Sequence, residues 1–541
     1  MTGQETRLSL FTISSEQKQC RTEYYFVNAI SVLLMIIFGF ITIMSFVQTA
    51  VFDESVGIAF EEVLFVIDNI PLNLLITAAF FGVLLFLRRF YDFFAKVNLL
   101  LLEIILGVWA ATLATVWVLS VTSMPDSDSM SLFEAATKAA ANDFSPLYNG
   151  RDSFNSDFYH GHSYFHFYPF QLGFVLLSEG VYRVCGTENA IPMQLLNAIC
   201  LGSAYFALAR ITQLTFKRRS ITFFTVLLLA VCFQPMLMCT FAYGNIIGMT
   251  TAIWASLLLI KYLQTQQYRW ILISAILLTI AVIIKYNHLI YLVAFGILLL
   301  IHAVKHKKWQ SIAFALMMCV MCTGGVRLVI LSYEIRANTK IESGLSQVMY
   351  HDLGLQESSM CSGWFTRTAI DDYEQGGYDT AKADAIAWQH IGAKYTEFIT
   401  EPFYAFGFFS RKLLSQWIEP SYESIWVSQV KPFLHEPAAF VREIYSGTAG
   451  KLLQMHFNLY TQVLFLFFTA GITLRFLRRQ ATIETILLPL IVLGGIGYHL
   501  LFEAKSQYAL TYIPLLIPSA AYGLHTLLFM VKLPHKKQLK A

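Results

Sequence analysis

Charge is what this sequence has least of. Lys, Arg, Asp and Glu make up 13% of its 541 residues, against 56% hydrophobic ones, whereas a soluble globular chain carries roughly 25% charged residues. Mean hydropathy is +0.56, and the composition excludes a soluble globular fold. The eight cysteines do not pair by spacing and most lie inside apolar runs; Cys361 is the one in a long polar segment. That pattern supports neither a disulfide framework nor a zinc motif. No Gly-rich phosphate loop follows a strand-like run, so no nucleotide-sugar site is called for, and nothing points to a nucleic-acid partner. Low-complexity linkers and internal repeats are also missing, which excludes a solenoid. The opening stretch MTGQETRLSLFTISSEQKQC is polar and lacks a small-residue cleavage site, unlike a cleavable signal peptide.

What is present is a long series of apolar segments. Thirteen occur, near 28–50, 70–88, 97–121, 169–185, 191–214, 221–241, 244–264, 270–285, 287–304, 311–333, 457–474, 482–501 and 507–531. A helix needs about 20 apolar residues to span a bilayer, and helices satisfy their own backbone groups there. The expected fold class is an all-α polytopic membrane protein. Basic clusters mark the cytoplasmic side: Arg88-Arg89 with Lys96, Lys217-Arg218-Arg219, Lys305 to Lys308, Arg475 with Arg478-Arg479, and the tail PHKKQLKA. With both termini cytoplasmic the number of crossings is even. The segment 169–185 is short and carries Glu179 and Arg183, so it is read as re-entrant or interfacial, leaving about twelve transmembrane helices.

The resulting division is a cytoplasmic N-terminus (1–27), first membrane helices (28–121), a long external loop (122–168), a membrane helix core (169–333), an extracytoplasmic domain (334–456), C-terminal membrane helices (457–531) and a cytoplasmic tail (532–541). Within the domain, Ile386, Trp388, Ile391, Tyr395 and Phe398 have near-helical spacing over 381–399, ending before Pro402.

The external loop contains PDSDSMSLFEAATKAAANDFSPLYNG at 125–150. Asp126 and Asp128 stand between an apolar run and a helical pattern. A carboxylate at a lipid–water boundary is partly desolvated and can act as a general base. An aspartate before a helix can equally cap its backbone N–H groups, and spacing alone favours the cap. Lys505, Lys285 and Arg327 stand near the outer ends of spans, where they are candidates for a phosphate site or for snorkelling to the interface. Arg411 and Lys412 read as solvated surface charge. The run YHGHSYFHFYPF places His160, His162 and His166 near Asp157; no ligand spacing is complete, and an aromatic interfacial loop explains it as well. Tyr168, Pro169 and Gln171 are candidates for the site entrance. Trp364, Trp417 and Trp426 offer flat faces for sugars, or for packing within the domain.

These stretches, with YPFQLGFVLLSEGVYRVCG, PMQLLN, FAYGN (241–245), IKYNHLI (284–290), GLQESSMCSGWF (354–365), FFSRKLLSQWIEPSYESIW (408–426) and FEAKSQYALTYIP (502–514), stand in an order that resembles the C-type (GT-C fold) integral-membrane glycosyltransferases. The nearest branch is the Gram-positive relatives of the protein O-mannosyltransferases and the aminoarabinose transferase. The resemblance implies an extracytoplasmic domain and transfer of a sugar from a polyprenyl-phosphate donor to an acceptor outside the cytoplasm. It implies a first-loop aspartate as base, seven residues before a small-residue pair, here Ala135-Ala136, which selects Asp128 first and Asp126 second. Tyr243, Asn245, Glu503 and Tyr508, with Tyr168, Gln171, Trp364 and Trp417, then fall to substrate binding. Two departures stand out. Tyr243-Gly244-Asn245 occupies a place where relatives carry an acidic residue, which disfavours a divalent metal, since hard cations prefer carboxylates. Gln507 stands where relatives often have arginine, which leaves Lys505 as a point charge for phosphate.

The expected function is an inverting membrane glycosyltransferase of hexosyl type. The partners are a polyprenyl-phosphate sugar, a cell-envelope glycan or lipid-linked acceptor, and membrane lipids; no cofactor is assigned. The rival classes are a polytopic lipid or polymer transporter, which calls for pseudo-symmetric halves not seen here, and a non-catalytic envelope-assembly scaffold.

Overall fold

The computed structural model describes residues 21–57, 60–88 and 96–531. The polar N-terminal stretch, Arg89 and the basic tail 534–541 lie outside the described residues. The chain is an all-α polytopic membrane protein. Its apolar runs become helices α1 (Arg21–Val47), α2 (Ile70–Leu87) and α3 (Leu99–Val121). After a connecting stretch that includes α4 (Ser127–Ala140) and α5 (Leu172–Cys185) come α6 (Ile191–Phe216), α7 (Arg219–Ala230), α8 (Asn245–Thr265), α9 (Tyr268–Ile284), α10 (Leu289–His306) and α11 (Gln310–Ala337). A polar cap follows, with α12 (Gln347–Leu355), α13 (Thr368–Gln375), α14 (Thr380–Thr400), α15 (Pro402–Trp417) and α16 (Ala439–Ser446); α17 (Thr448–Leu477), α18 (Ile483–Leu501) and α19 (Ile513–Met530) close the bundle.

Among the described residues, nine helices are long and apolar enough to cross a membrane. The pair Arg219–Ala230 and Gln234–Thr240, bent by 47°, makes a tenth. Ile70–Phe86 and Tyr268–Ile284 are apolar but shorter, so nine or ten helices meet the length of a span among the described residues, against about twelve expected. Helix α5, inside the segment read as re-entrant or interfacial, has 14 residues, too few to span the hydrocarbon core. It packs on α4 and on the end of α11. Its buried Glu179 accepts hydrogen bonds from Tyr333 Oη (2.7 Å) and Arg183 Nε (3.0 Å), and pairs with Arg336. That network ties α5 to α11.

The helices pack through small residues, since lipid offers no hydrophobic gain for helix association. At the crossing of α3 and α6, a Cβ on Gly202 would lie 2.4 Å from the Gly107 carbonyl oxygen and 2.9 Å from Ala111 Cβ. Helices α17 and α19 meet in the same way at Gly471 and Gly523.

Described members of three basic clusters, Arg88, Lys305 and Arg475, lie at helix ends. Arg88 donates to the Leu528 and Val531 carbonyls, Lys305 pairs with Glu23 at 2.9 Å, and Arg475 donates to the Gln480 carbonyl. The first loop and the cap are one body: Met124 N donates to Pro432 O (2.7 Å), Leu434 N to Thr122 O (2.8 Å), and Arg367 to Phe158 O (2.6 Å).

Two features differ from the sequence expectation. Between α1 and α2 stands an antiparallel hairpin, β1 (Gln48–Phe52) with β2 (Val63–Ile67), where only a connection was expected. It docks on the cap through Ala50 N to Ile418 O (3.1 Å) and Val63 N to Met360 O (3.0 Å). Helix α14 matches the expected 381–399, but its buried stripe is Ala383, Ala387, Ile391 and Phe398, and Trp388 is exposed. Pro402 opens α15 rather than merely ending α14.

The glycine crossing predicts a directional effect. Gly202→Val should lower the unfolding midpoint of detergent-solubilised protein by several degrees, an overpacking cost of about 1–3 kcal/mol. Gly296→Val, where nothing lies within 4 Å of the added Cβ, serves as the control and should change it little.

Candidate functional site

Asp126 and Asp128 take different roles. Asp126 is the N-cap of α4, and its backbone N–H donates to Ser129 Oγ at 3.1 Å. Ser127 sits at φ +48°, a left-handed conformation that a non-glycine residue adopts only when its surroundings enforce it. The chain thereby turns Asp128 inward. Its Oδ2 accepts a hydrogen bond from Tyr243 Oη at 3.1 Å. Tyr243 Oη also meets Gln171 Nε2 at 2.8 Å and Tyr164 Oη at 3.3 Å. Lys285 Nζ lies 3.6 Å from the centre of the Tyr243 ring, a cation–π contact.

Two chambers meet at this point. The first, with an empty volume of about 900 Å³, runs past Lys285, Tyr286, Tyr350 and Phe502. The second, about 1220 Å³, runs past Glu61, Asn155, Trp426, Lys431 and Lys505. Asp128, Tyr168, Tyr243, Phe365, Glu503 and Tyr508 line both, so Asp128 stands at the junction.

The electrostatics follow from burial. Desolvation raises the Asp128 carboxyl above its ordinary value, against the opposing pull of Tyr243, Lys505 and Lys285. Desolvation likewise raises Glu503 to about 7, although Lys505 and a 3.1 Å hydrogen bond from Tyr508 Oη oppose it. Lys285, at the turn between α9 and α10, is held down to about 7 by burial. Lys505 behaves differently. Burial disfavours its charge, but Glu423 and Glu61 outweigh that and raise it above the ordinary lysine value. Lys505 pairs with Glu61 and lies 3.6 Å from Glu423, whose side chain is 0% exposed.

Of the residues expected from sequence, Asp128, Asp126, Lys505, Lys285, Tyr168, Gln171, Tyr243, Glu503 and Tyr508 line one or both chambers. The others are corrected. Arg327 is 65% exposed, reaches Glu334 at 3.8 Å and lies on a separate surface; its position on α11 turns it away from the bundle. Trp364 is fully buried and donates to Ser415 Oγ at 2.8 Å, and Trp417 packs on Phe38 at 5.5 Å. Both fill the core and reach neither chamber; Trp426 does line the second. Asn245 is buried at the start of α8, outside both linings. Arg411 stays exposed beside Glu357, but Lys412 is fully buried, donates to the Gly354 carbonyl and is pushed down to about 7 by desolvation. His160 lies 3.2 Å from Glu374, while His162 and His166 stack at 4.8 Å; they form no metal cluster among the described residues.

Sequence reasoning missed Glu61, Glu423 and Lys431. Lys431 is buried, with Nζ 3.1 Å from Ser129 Oγ and 4.2 Å from the centre of the Phe241 ring. The run WIEPSYESIW, with acids among aromatics, was a signal for Glu423. Nothing in the sequence pointed to Lys431 or to the hairpin that carries Glu61.

Residues 172–324, from α5 into α11, match the family described as dolichyl-phosphate-mannose-protein mannosyltransferase. Over that stretch the chain is similar to C-type membrane glycosyltransferases. No curated protein matches the chain. The matched region holds Tyr243, Lys285 and the helices beneath the chambers. Asp128, Glu503 and Lys505 lie outside it, and geometry alone brings them to the site.

The raised Glu503 carboxyl fixes a pH dependence. Its folded value of about 7 exceeds the ordinary 4.5, so the folded state holds the proton more tightly. Stability is then full below 4.5 and is lost as pH rises through 7. Glu503→Gln should flatten the decline of the unfolding midpoint across that window. An unchanged slope would show that Glu503 is not the group titrating.

Proposed function

We propose that this chain is a membrane glycosyltransferase that moves a sugar from a polyprenyl-phosphate carrier to a hydroxyl of a cell-envelope glycan or lipid-linked saccharide, on the extracytoplasmic face, with both termini cytoplasmic. The observation that carries this reading is the Asp128 carboxylate at the junction of two chambers, one of which contains Lys285, a half-buried lysine with no carboxylate within ion-pair distance among the described residues.

In this reading the lipid phosphate lies in the first chamber beside Lys285. The acceptor enters through the second, past Trp426 and Lys431. Asp128 takes the proton of the acceptor hydroxyl as its oxygen attacks the anomeric carbon. The bond from that carbon to the phosphate oxygen breaks, and the lipid phosphate leaves with the electron pair. Attack from the face opposite the phosphate inverts the sugar. A raised carboxyl suits a base working near neutral pH, and Tyr243 orients it. Lys285 gains charge-stabilising strength as the phosphate develops negative charge. The phosphate brings its own negative charge, which favours the protonated lysine. Lys505, held by Glu61 and Glu423, acts at longer range by favouring the ionised form of Asp128. Tyr168, Gln171, Glu503 and Tyr508 supply hydrogen bonds to the sugar at the junction.

Asp128→Asn should lower transfer by about 10²–10⁴-fold, the usual size of a general-base contribution, with membrane protein level unchanged. The measurement is envelope glycan analysis in a deletion strain carrying the native or variant chain, alongside transfer assayed with purified protein. Restoration of the native glycan by Asp128→Asn would remove Asp128 as base and favour a scaffold instead.

A further inference from the structure

Outside both chambers, three helices of the cap bring together two acids and an imidazole. Asp352 lies on α12, Asp372 on α13 and His390 on α14. His390 Nδ1 is 2.9 Å from Asp352 Oδ2 and 3.3 Å from Asp372 Oδ1, and one ligand atom from each residue lies within 4.8 Å of the others. Ligand atoms bound tetrahedrally at about 2.0–2.2 Å from a zinc ion stand roughly 3.3–3.6 Å apart. The three side chains are thus already spaced for a common cation, with small adjustments.

The two buried acids lack a matching charge among the described residues. Asp352 and Asp372 are 0% and 1% exposed. Asp352 Oδ1 accepts a hydrogen bond from Gln356 Nε2 at 2.6 Å. Asp372 Oδ2 is buried and has no hydrogen-bond partner. Among the described residues no lysine or arginine pairs with either acid. Two buried carboxylates facing a single imidazole leave negative charge in a desolvated place, which costs several kcal/mol unless a proton or cation offsets it.

We propose that Asp352, Asp372 and His390 bind a divalent cation of the zinc class, with solvent completing its coordination. The imidazole and the small number of protein ligands favour such an ion over Ca²⁺ or Mg²⁺, which take six or more oxygens. His390 is 44% exposed, which gives the ion an entry path. The bound ion fastens α12, α13 and α14 to one another. Leu353 follows Asp352 directly, and Ala369 and Ile370 precede Asp372 on the same helix; all three line the first chamber. The cation therefore sets the position of that chamber's wall without touching Asp128, and its binding does not depend on the transferase reaction.

The test uses full-length protein in detergent, stripped with a chelator and then dialysed against Zn²⁺. Bound zinc is measured by mass spectrometry and unfolding by a thermal scan, for the native chain, Asp372→Asn and His390→Ala. The native chain should retain about one more zinc per molecule than either variant, because binding needs the full ligand set. Zinc should raise its unfolding midpoint by several degrees and leave the variants unmoved. In the absence of metal, Asp372→Asn should be at least as stable as the native chain, because a buried like-charge contact is gone. His390→Ala, at a half-exposed position, carries the comparison if the other variant folds poorly. Equal zinc content and equal thermal shifts in all chains would overturn the proposal and leave the cluster as a proton-sharing triad.

Discussion

The ammonium of Lys505 joins parts of the chain that are far apart in sequence. Glu61 comes from the hairpin after the first membrane helix, Glu423 from the cap, and Lys505 from the loop before the last span. None of the three could stay charged alone in so buried a place, because an unpaired ion loses several kcal/mol of hydration. Together they hold the hairpin and the cap against the last helices, and that closure walls the second chamber. Removing one partner would leave an uncompensated charge in the wall, so the chamber and the ion triad stand or fall together.

The same constraint shapes the junction. Asp128, Glu503 and Lys285 are all shifted toward their neutral forms by burial, while Lys505 is held charged by its carboxylates. The site therefore contains one permanent cation and several groups poised to exchange a proton. A bound phosphate would alter that balance in favour of the Lys285 ammonium, and with it the ionised state of the neighbouring acids. Tyrosines fill the remaining positions: Tyr164, Tyr168, Tyr243 and Tyr508 provide hydroxyls for polar groups and rings for apolar contact, which suits a boundary between lipid and water.

Much of the membrane architecture was legible in the sequence. The apolar segments recur as helices within a few residues of their expected limits over most of the chain, because hydrocarbon thickness sets the length of an apolar run. The short segment 169–185 stood out for its charges, and those charges proved to be the Glu179 network. Asp126 and Asp128 could not be separated by spacing, since both precede the same helix; the left-handed turn at Ser127 separates them. Lys412 read as surface charge and is buried. Trp364 and Trp417 read as sugar platforms and are core. Sequence period alone does not say which face of a cap helix meets another element.

By itself, the sequence determined that this chain lives in a membrane and roughly where its helices begin and end, and it marked an acidic first loop and the EAKSQY loop as candidates for its chemistry. Those properties are local: they depend on run length, charge and neighbouring residues. Only the tertiary structure decided which charged groups meet. It set Asp128 against Tyr243, clamped Lys505 between two glutamates, moved Arg327 away, and gathered Asp352, Asp372 and His390 on three helices. The reason is physical. A charge leaving water needs a partner within a few ångströms, and in a helical bundle that partner comes from whichever segment packs alongside, however distant it is along the chain.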